Sequence, residues 1–235
     1  MTTGQTNAPG SPANLLSCQI LQADCLDILP TLPPGSVDLI VTDPPYGIAY
    51  QSNRRTLRPQ GKLLNDETVP IEWIRFAYRA VKEGGAIYVY GHWRNWPTLA
   101  TGIMDAGFTV KNLIVMVKSY HGSGDLRGSW APKHELVLFA TRGRHLLRGK
   151  RGDDVIEVHN DFQGGAGKWK QHPTEKPATW HTQFIQASSD VGDLVLDPFC
   201  GVGGTLLAAK QLGRRGLGIE LDEGYARIAA QRLAE

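Results

Sequence analysis

The chain has 235 residues and a formal net charge of +2, with 41% hydrophobic and 20% charged residues, a composition that supports one sizeable α/β domain. No apolar run approaches the roughly 18 residues a membrane span requires, and no basic segment followed by an apolar stretch opens the chain, so neither a span nor a secretory signal is expected. Cys18, Cys25 and Cys200 form no CxxC pair, which argues against a zinc site or a disulfide framework and favours a reducing, cytoplasmic setting.

Residues 1–14 are uncharged and rich in Thr, Gly, Pro, Asn and Ser; they read as a disordered leader, with the domain proper over 15–235. Residues 18–22 and 37–41 follow as strands. The second, Val37-Asp38-Leu39-Ile40-Val41, runs into Asp43-Pro44-Pro45-Tyr46. A β-branched run ending this way brings a carboxylate, a rigid backbone carbonyl and an aromatic ring into one small volume. Those parts suit holding a planar ring and activating an amino group attached to it. Taken alone, the same tetrapeptide is equally an ordinary strand-to-loop turn.

The loop over 50–65 carries Arg54, Arg55, Arg58 and Lys62 with no acid among them. Apolar or aromatic residues at 71, 73, 74, 77, 78 and 81 predict a helix over 71–81 that Gly84-Gly85 ends. A buried strand over 86–90, a helix over 96–106 stopped by Gly107, and strands over 108–117 and 135–141 come next. Residues 143–171 are Gly-rich, polar and basic, with a short apolar alternation at 155–158, and read as an insertion or recognition segment. Arg142, Arg144, Arg148, Lys150 and Arg151 cluster there without an acid, and Lys168 and Lys170 follow. Charge runs are usually solvated surface, but these two clusters fall in loops beside candidate active-site segments. That placement favours a polyanionic partner whose phosphates Lys and Arg would neutralise.

A helix over 177–188 and a strand over 194–196 lead to Asp197-Pro198-Phe199-Cys200-Gly201-Val202-Gly203-Gly204-Thr205, a glycine loop opening a helix over 205–212. The GxGxxG spacing is absent and no Gly-Lys-Ser/Thr follows, so the loop suits a nucleoside-type ligand better than a dinucleotide or a triphosphate. The next strand, 217–219, ends in Glu220, placed to accept two hydrogen bonds from a ribose diol. Asp222 reads instead as the N-cap of a final helix over 223–233. Strands alternating with helices predict a largely parallel sheet covered on both faces.

Four segments together resemble the amino-methyltransferases of DNA, in the permuted group whose catalytic motif precedes the cofactor loop. They are residues 21–29 with Asp24 and Cys25, residues 37–46 with Asp43-Pro44-Pro45-Tyr46, His172-Pro173-Thr174-Glu175-Lys176-Pro177, and residues 197–205 followed by Glu220. Their order covers nearly the whole chain after the leader. The resemblance implies a seven-stranded, mostly parallel methyltransferase sheet with S-adenosylmethionine as methyl donor. It places Asp197, the backbone around Phe199, Gly201 and Gly203, and Thr205 against the methionine part of that cofactor. It also puts Asp24 and Cys25 at the adenine, Glu220 at the ribose, and Thr174 and Lys176 at the carboxylate end. Asp43, Pro44, Pro45 and Tyr46 become the catalytic corner, with Tyr46 stacking on a base flipped out of duplex DNA.

Asp at the first motif position favours adenine N6 over cytosine N4. An RNA methyltransferase, or a nucleic-acid-binding subunit of the same fold that has lost its chemistry, are the competing functions. The short 143–171 segment implies a short target, relaxed specificity or help from a second subunit. Trp130 and Trp169 are candidate wedges, and the same number of such tryptophans serve packing. A homodimer and a restriction endonuclease partner are compatible with the resemblance. Glu135 is as readily structural as base-contacting, and none of His92, His121 or His134 is assigned as a catalytic base.

Overall fold

The computed structural model describes residues 17–47, 69–121, 127–159 and 175–235. The leader, the 50–65 loop and residues 160–174 therefore lie outside the described residues. Eight strands run β1 (Cys18–Gln22), β2 (Val37–Thr42), β3 (Val81–Gly91), β4 (Thr109–Lys118), β5 (His134–Thr141), β6 (Val155–Val158), β7 (Leu194–Asp197) and β8 (Arg215–Glu220). They form one sheet in the order β1-β8-β7-β2-β3-β5-β4-β6. Every pairing is parallel except those of β5 with β3 and with β4. The mostly parallel sheet is as expected, but it has eight strands rather than seven. The eighth is β6, which pairs with β4 at the sheet edge and comes from the alternation at 155–158.

Both faces are covered, and the strands sort their side chains between them with a period of two. On β3, Ile87 and Val89 join the cluster of Trp73, Ile74 and Ala77 from α2 (Glu72–Ala80) and of Leu99 and Ile103 from α3 (Trp96–Asp105). Ala86, Tyr88 and Tyr90 face the other way, against Trp180, Phe184 and Ile185 of α4 (Ala178–Ser188) and Ala208 and Ala209 of α5 (Gly204–Gln211). The short α1 (Cys25–Ile28) joins the first face through Cys25, and α6 (Glu223–Ala234) packs beside α5 over β1 and β8. β2 is buried along its whole length. Each fully buried Leu, Ile or Val there contributes on the order of 1.5–3 kcal/mol. Among the described residues no helix is long and apolar enough to cross a membrane.

One boundary departs from the sequence reading. The α2 helix ends at Ala80, and β3 begins at once, at Val81, before Gly84-Gly85. The guanidinium of Arg142 donates to the carbonyls of Tyr78 and Val81 (2.9 and 2.8 Å), so carbonyls at the helix end are satisfied from another strand's end. The glycines make a bulge instead: pairing slips from Val37↔Val81 to Leu39↔Ala86, and Gly84 takes φ +79°. A Cβ on Gly85 would stand 2.9 Å from the Asp38 carbonyl oxygen.

The topology also fixes where a ligand can enter. β2 leads to α2 on one face, while its neighbour β7 leads to α5 on the other. Adjacent connections that leave toward opposite faces open a crevice at the strands' carboxyl ends, the usual binding position in such sheets.

Candidate active site

That crevice lies where Asp43 and Asp197 emerge from neighbouring strands. Thr42, the last residue of β2, donates through Oγ1 to Asp197 Oδ1 at 2.7 Å, and the same oxygen accepts the Phe199 N–H at 3.1 Å. Asp197 is buried. Burial pushes its carboxyl up to about 7 against the pull of Thr42, Thr205 and the Phe199 amide, and the nearby Asp43 charge adds to the rise. The two strand ends are thus bonded to each other before either meets a ligand.

Beyond Thr42, Asp43 divides its carboxylate. Oδ2 accepts a 2.8 Å bond from Lys176 Nζ, whereas Oδ1 is buried and has no hydrogen-bond partner among the described residues. The Lys176 ammonium is also 3.3 Å from the Tyr46 hydroxyl and 5.4 Å from the Tyr46 ring centroid. Burial, then the Asp43 charge, drives the Tyr46 hydroxyl well above its ordinary range, so it is a neutral phenol. Asn95 holds this corner from outside: its Nδ2 donates to the Tyr46 carbonyl at 3.0 Å, and its Oδ1 accepts the His92 N–H at 2.9 Å. The His92 ring lies 6.4 Å from that of Tyr46 and is tilted by 28°.

The glycine loop turns toward β8 and β1. Cys200 N–H bonds the Ile219 carbonyl at 2.9 Å, and Gly201 N–H bonds Glu220 Oε2 at 2.9 Å. Glu220 Oε1 accepts the Asp222 N–H at 2.9 Å, so each carboxylate oxygen keeps a lone pair for a further donor. Burial raises the Glu220 pKa, with those two amides opposing the rise. Gln22 pairs with Glu220, and the Ala23 N–H reaches the Glu220 carbonyl at 3.0 Å, which places Asp24 beside it. Asp24 caps α1 by accepting the Leu26 N–H at 2.8 Å, and Cys25 is buried behind it. Asp222 is the α6 N-cap, accepting the Tyr225 N–H at 2.9 Å.

The loop is tight on its inner side and open at one point. A Cβ on Gly203 (φ +84°) would meet the Ala229 Cβ at 3.1 Å, and one on Gly204 would meet the Lys176 carbonyl oxygen at 3.1 Å. Gly201 has φ +51° with nothing within 4 Å of such a Cβ. A glycine open on that side, beside a two-oxygen acceptor, fits the nucleoside-type ligand expected from sequence. Phe199 meets Trp73 of α2 edge-to-face at 5.4 Å. Arg232 donates to Glu175 Oε1 at 2.9 Å and to the Val202 carbonyl at 2.8 Å, anchoring the segment that carries Lys176 to the same loop.

The structure therefore gathers Asp43, Pro44, Pro45, Tyr46, Lys176, Asp197, Phe199, Gly201, Gly203, Thr205, Glu220, Asp24 and Cys25 along the carboxyl ends of four adjacent strands. Asn95, Arg232 and the Lys176–Asp43 bond were not anticipated. An Asn ahead of Trp96-Pro97 was the only local trace of the first, and long-range pairing hid the others. Thr174, Arg54, Arg55, Arg58, Lys62, Lys168, Lys170 and Trp169 fall outside the described residues.

The second basic cluster does not lie beside Asp43. Thr141 pairs with Ala86 at the start of β3, so Arg144 and Arg148 lie at the amino end of the parallel strands, opposite Asp43. His145 holds the segment there through the Gly84 carbonyl (2.7 Å) and Ser188 Oγ (3.0 Å), and Arg148 pairs with Asp190 at 3.0 Å. Lys150 and Arg151 are exposed on the run toward β6. Antiparallel return of β5 is the reason: it reverses the chain before residue 142. Trp130 is 96% exposed on the β4–β5 connection, which emerges at the same end of the sheet as Asp43.

Residues 37–231 match the model of the DNA methylase family. The chain is 33% identical over 220 residues to YubD of Escherichia coli (strain K12), which carries a methylase designation, covering 92% of this chain and 90% of that protein. It is 28% identical over 240 residues to the type II methyltransferase M2.DpnII of Streptococcus pneumoniae, covering 91% and 88%. Among solved structures, the M1.HpyAVI–SAM complex is similar with a TM-score of 0.70 at 26% identity, over 92% of this chain and 99% of that one. The cytosine-N4-specific PvuII DNA methyltransferase shares the fold, with a TM-score of 0.72 at 17% identity, over 93% and 88%.

Proposed function

The chain belongs to the DNA methylase family of N6/N4 amino-methyltransferases, and from that membership we propose that it methylates the exocyclic N6 of an adenine flipped out of duplex DNA. The observation that carries this reading is the divided carboxylate of Asp43: Oδ2 is held by Lys176 while Oδ1 is buried without a partner among the described residues. A buried acceptor left unmade costs about 1–3 kcal/mol, and an incoming amino group supplies the donor that removes that cost.

The adenine amino nitrogen is a poor nucleophile because its lone pair is delocalised into the ring. With one N–H accepted by Asp43 Oδ1 and the other by the Pro44 carbonyl, the nitrogen moves toward tetrahedral geometry and the lone pair becomes available. S-adenosylmethionine, when bound, supplies a methyl group activated as a sulfonium. The new N–C bond forms as the S–C bond breaks, and the nitrogen sheds one proton along its bond to Asp43. Positioning and local electrostatics carry the step, without a covalent enzyme intermediate. Pro45 keeps the corner rigid and Tyr46 stacks on the extruded base.

The residues that would hold the cofactor are those gathered around the glycine loop: Asp24 and Cys25 toward its adenine, Glu220 toward its ribose, and Asp197, Phe199, Gly201, Gly203 and Thr205 toward its methionine part, with Thr174 at the carboxylate end. Lys176, expected with Thr174, has its ammonium committed to Asp43 and is assigned there. Arg54, Arg55, Arg58, Lys62, Lys168 and Lys170 are assigned to DNA phosphates, and Trp130 to the duplex beside the extruded base. Transfer from labelled S-adenosylmethionine to duplex DNA, followed by nucleoside mass spectrometry, tests the reading. N6-methyladenine is the expected product; N4-methylcytosine alone would replace the base assignment.

A further inference from the structure

Lys176 is held on its other side as well. Its Nζ is 3.9 Å from Glu135 Oε2, and Glu135 Oε1 accepts a 2.8 Å bond from Lys118 Nζ. The side chains are 9% exposed for Lys176, 10% for Lys118, 20% for Glu135 and 23% for Asp43. Four charges of alternating sign thus run from β4 through β5 and the approach to α4 to the end of β2. Taking an ammonium out of water costs several kcal/mol unless it is paired, and here every ion has a partner of opposite sign. The Tyr46 and Tyr90 rings add faces 5.4 Å from the same ammonium.

Rotation about the last torsion of Asp43 would turn the plane of its carboxylate. A charge-assisted bond on Oδ2 fixes that plane and leaves the second oxygen, Oδ1, as the acceptor on offer. Resting on the reading of Asp43 as the acceptor of the target amino group, we propose that Lys118 and Glu135 are positioning residues that act through Lys176. They hold the ammonium on Asp43 Oδ2, so that Oδ1 is the oxygen presented to the substrate.

Burial pulls the Lys176 pKa down, but the Asp43 and Glu135 carboxylates outweigh it and leave the value raised. The groups facing this ammonium are Asp43 and Tyr46 at the end of β2, Tyr90 on β3, Lys118 on β4 with Tyr120 just beyond it, Glu135 on β5, and His181 on α4. Replacing Glu135 by Gln removes one of the two anions, so Lys176 releases its proton at lower pH.

The test uses the full chain, S-adenosylmethionine and PCR-amplified genomic DNA, which carries no methylated base. Steady-state kcat and KM, equilibrium cofactor binding and the pH profile are measured for E135Q, E135D and K118M. E135Q is expected to lower kcat by about tenfold or more and to leave the cofactor dissociation constant within about twofold. Its kcat should also acquire an alkaline limb at lower pH than any the parent shows, because Lys176 has lost one of the anions that raise its pKa. E135D should recover part of kcat, and K118M should lose kcat without the alkaline limb, because Glu135 keeps its charge but is no longer anchored behind the ammonium. An E135Q protein with unchanged kcat and pH profile overturns the proposal. Should E135Q not fold, an unchanged kcat in K118M overturns it instead. D43A separates this failure from that of the base reading: an active D43A removes Asp43 as acceptor, whereas an inactive D43A with a normal E135Q refutes only the positioning chain.

Discussion

Thr42 Oγ1 donates a 2.7 Å hydrogen bond to Asp197 Oδ1, joining the end of the strand that delivers Asp43 to the end of the strand that delivers the glycine loop. Thr42→Val keeps the shape and removes the donor. It is expected to cost about 1–3 kcal/mol in denaturant unfolding, because a buried acceptor loses a partner. Cofactor affinity should fall with it, since the same Asp197 oxygen orients the Phe199 amide. A variant with parental stability would show that this link is dispensable.

Asp43→Ala should reduce kcat at least about a hundredfold, the loss expected when an aligned electrostatic partner of the reacting group is removed. Cofactor binding should stay near the parent's, because the glycine loop and Glu220 are untouched. Retained turnover would take Asp43 out of the mechanism.

The glycines of the loop should separate folding from binding. Gly203→Ala forces a Cβ to 3.1 Å from the Ala229 Cβ at φ +84° and should lower thermal stability by about 2–3 kcal/mol. Gly201→Ala meets nothing within 4 Å, so it should cost about 1–2 kcal/mol for its left-handed backbone while losing most cofactor affinity. Equal affinities for Gly201→Ala and the parent would move the cofactor away from that side of the loop.

His181 and Asp197 should oppose each other in the pH dependence of stability. Burial, helped by the Lys176 charge, pushes His181 from 6.5 down to about 3. The unfolded chain therefore binds a proton that the folded one refuses, and stability falls as pH drops through that window. Asp197 is raised from 3.8 to about 7. There the folded chain keeps a proton the unfolded one has released, and stability falls as pH rises. Each contributes a slope of about 1.4 kcal/mol per pH unit, so from about pH 4 to 6.5 they cancel. Asp197→Asn exposes the His181 slope: its stability relative to the parent should climb across that range. A flat difference would contradict the Asp197 assignment, and a flat pH profile of the Asp197→Asn protein itself would contradict that of His181.

Trp130→Ala should raise the KM for DNA about tenfold, in keeping with the loss of one stacking platform, with no change in cofactor affinity. Thermal stability should move by less than about 0.5 kcal/mol, because the ring is almost wholly exposed. Arg144→Ala, at the far end of the sheet, should leave the KM for DNA unaltered. The reverse pattern would put the DNA on the other side of the molecule.

Most of the elements were legible because their signals are local. Continuous β-branched or apolar runs mark β2 and β3, a period of 3.6 marks α2, and the glycine loop announces itself in nine residues. The errors were also local readings, overruled from a distance. Gly84-Gly85 looked like a helix stop, yet β3 had already begun, since pairing with β2 and the Arg142 side chain settle where α2 ends. Arg144 and Arg148 were read as lying in a loop beside candidate active-site segments, yet the strand before that loop is antiparallel and places them at the other end of the sheet.

By itself, the sequence determined the covered, largely parallel sheet, the Asp43–Tyr46 corner, the glycine loop and Glu220, since each is written in contiguous residues whose backbone preferences and side-chain chemistry act over a few ångströms. Only the tertiary structure decided which oxygen of Asp43 is held by an ammonium. That depends on Lys176, 133 residues away, and on Glu135 and Lys118 behind it. Their meeting follows from strand order and register, which arise when buried faces from distant segments pack together, and no local pattern encodes that result.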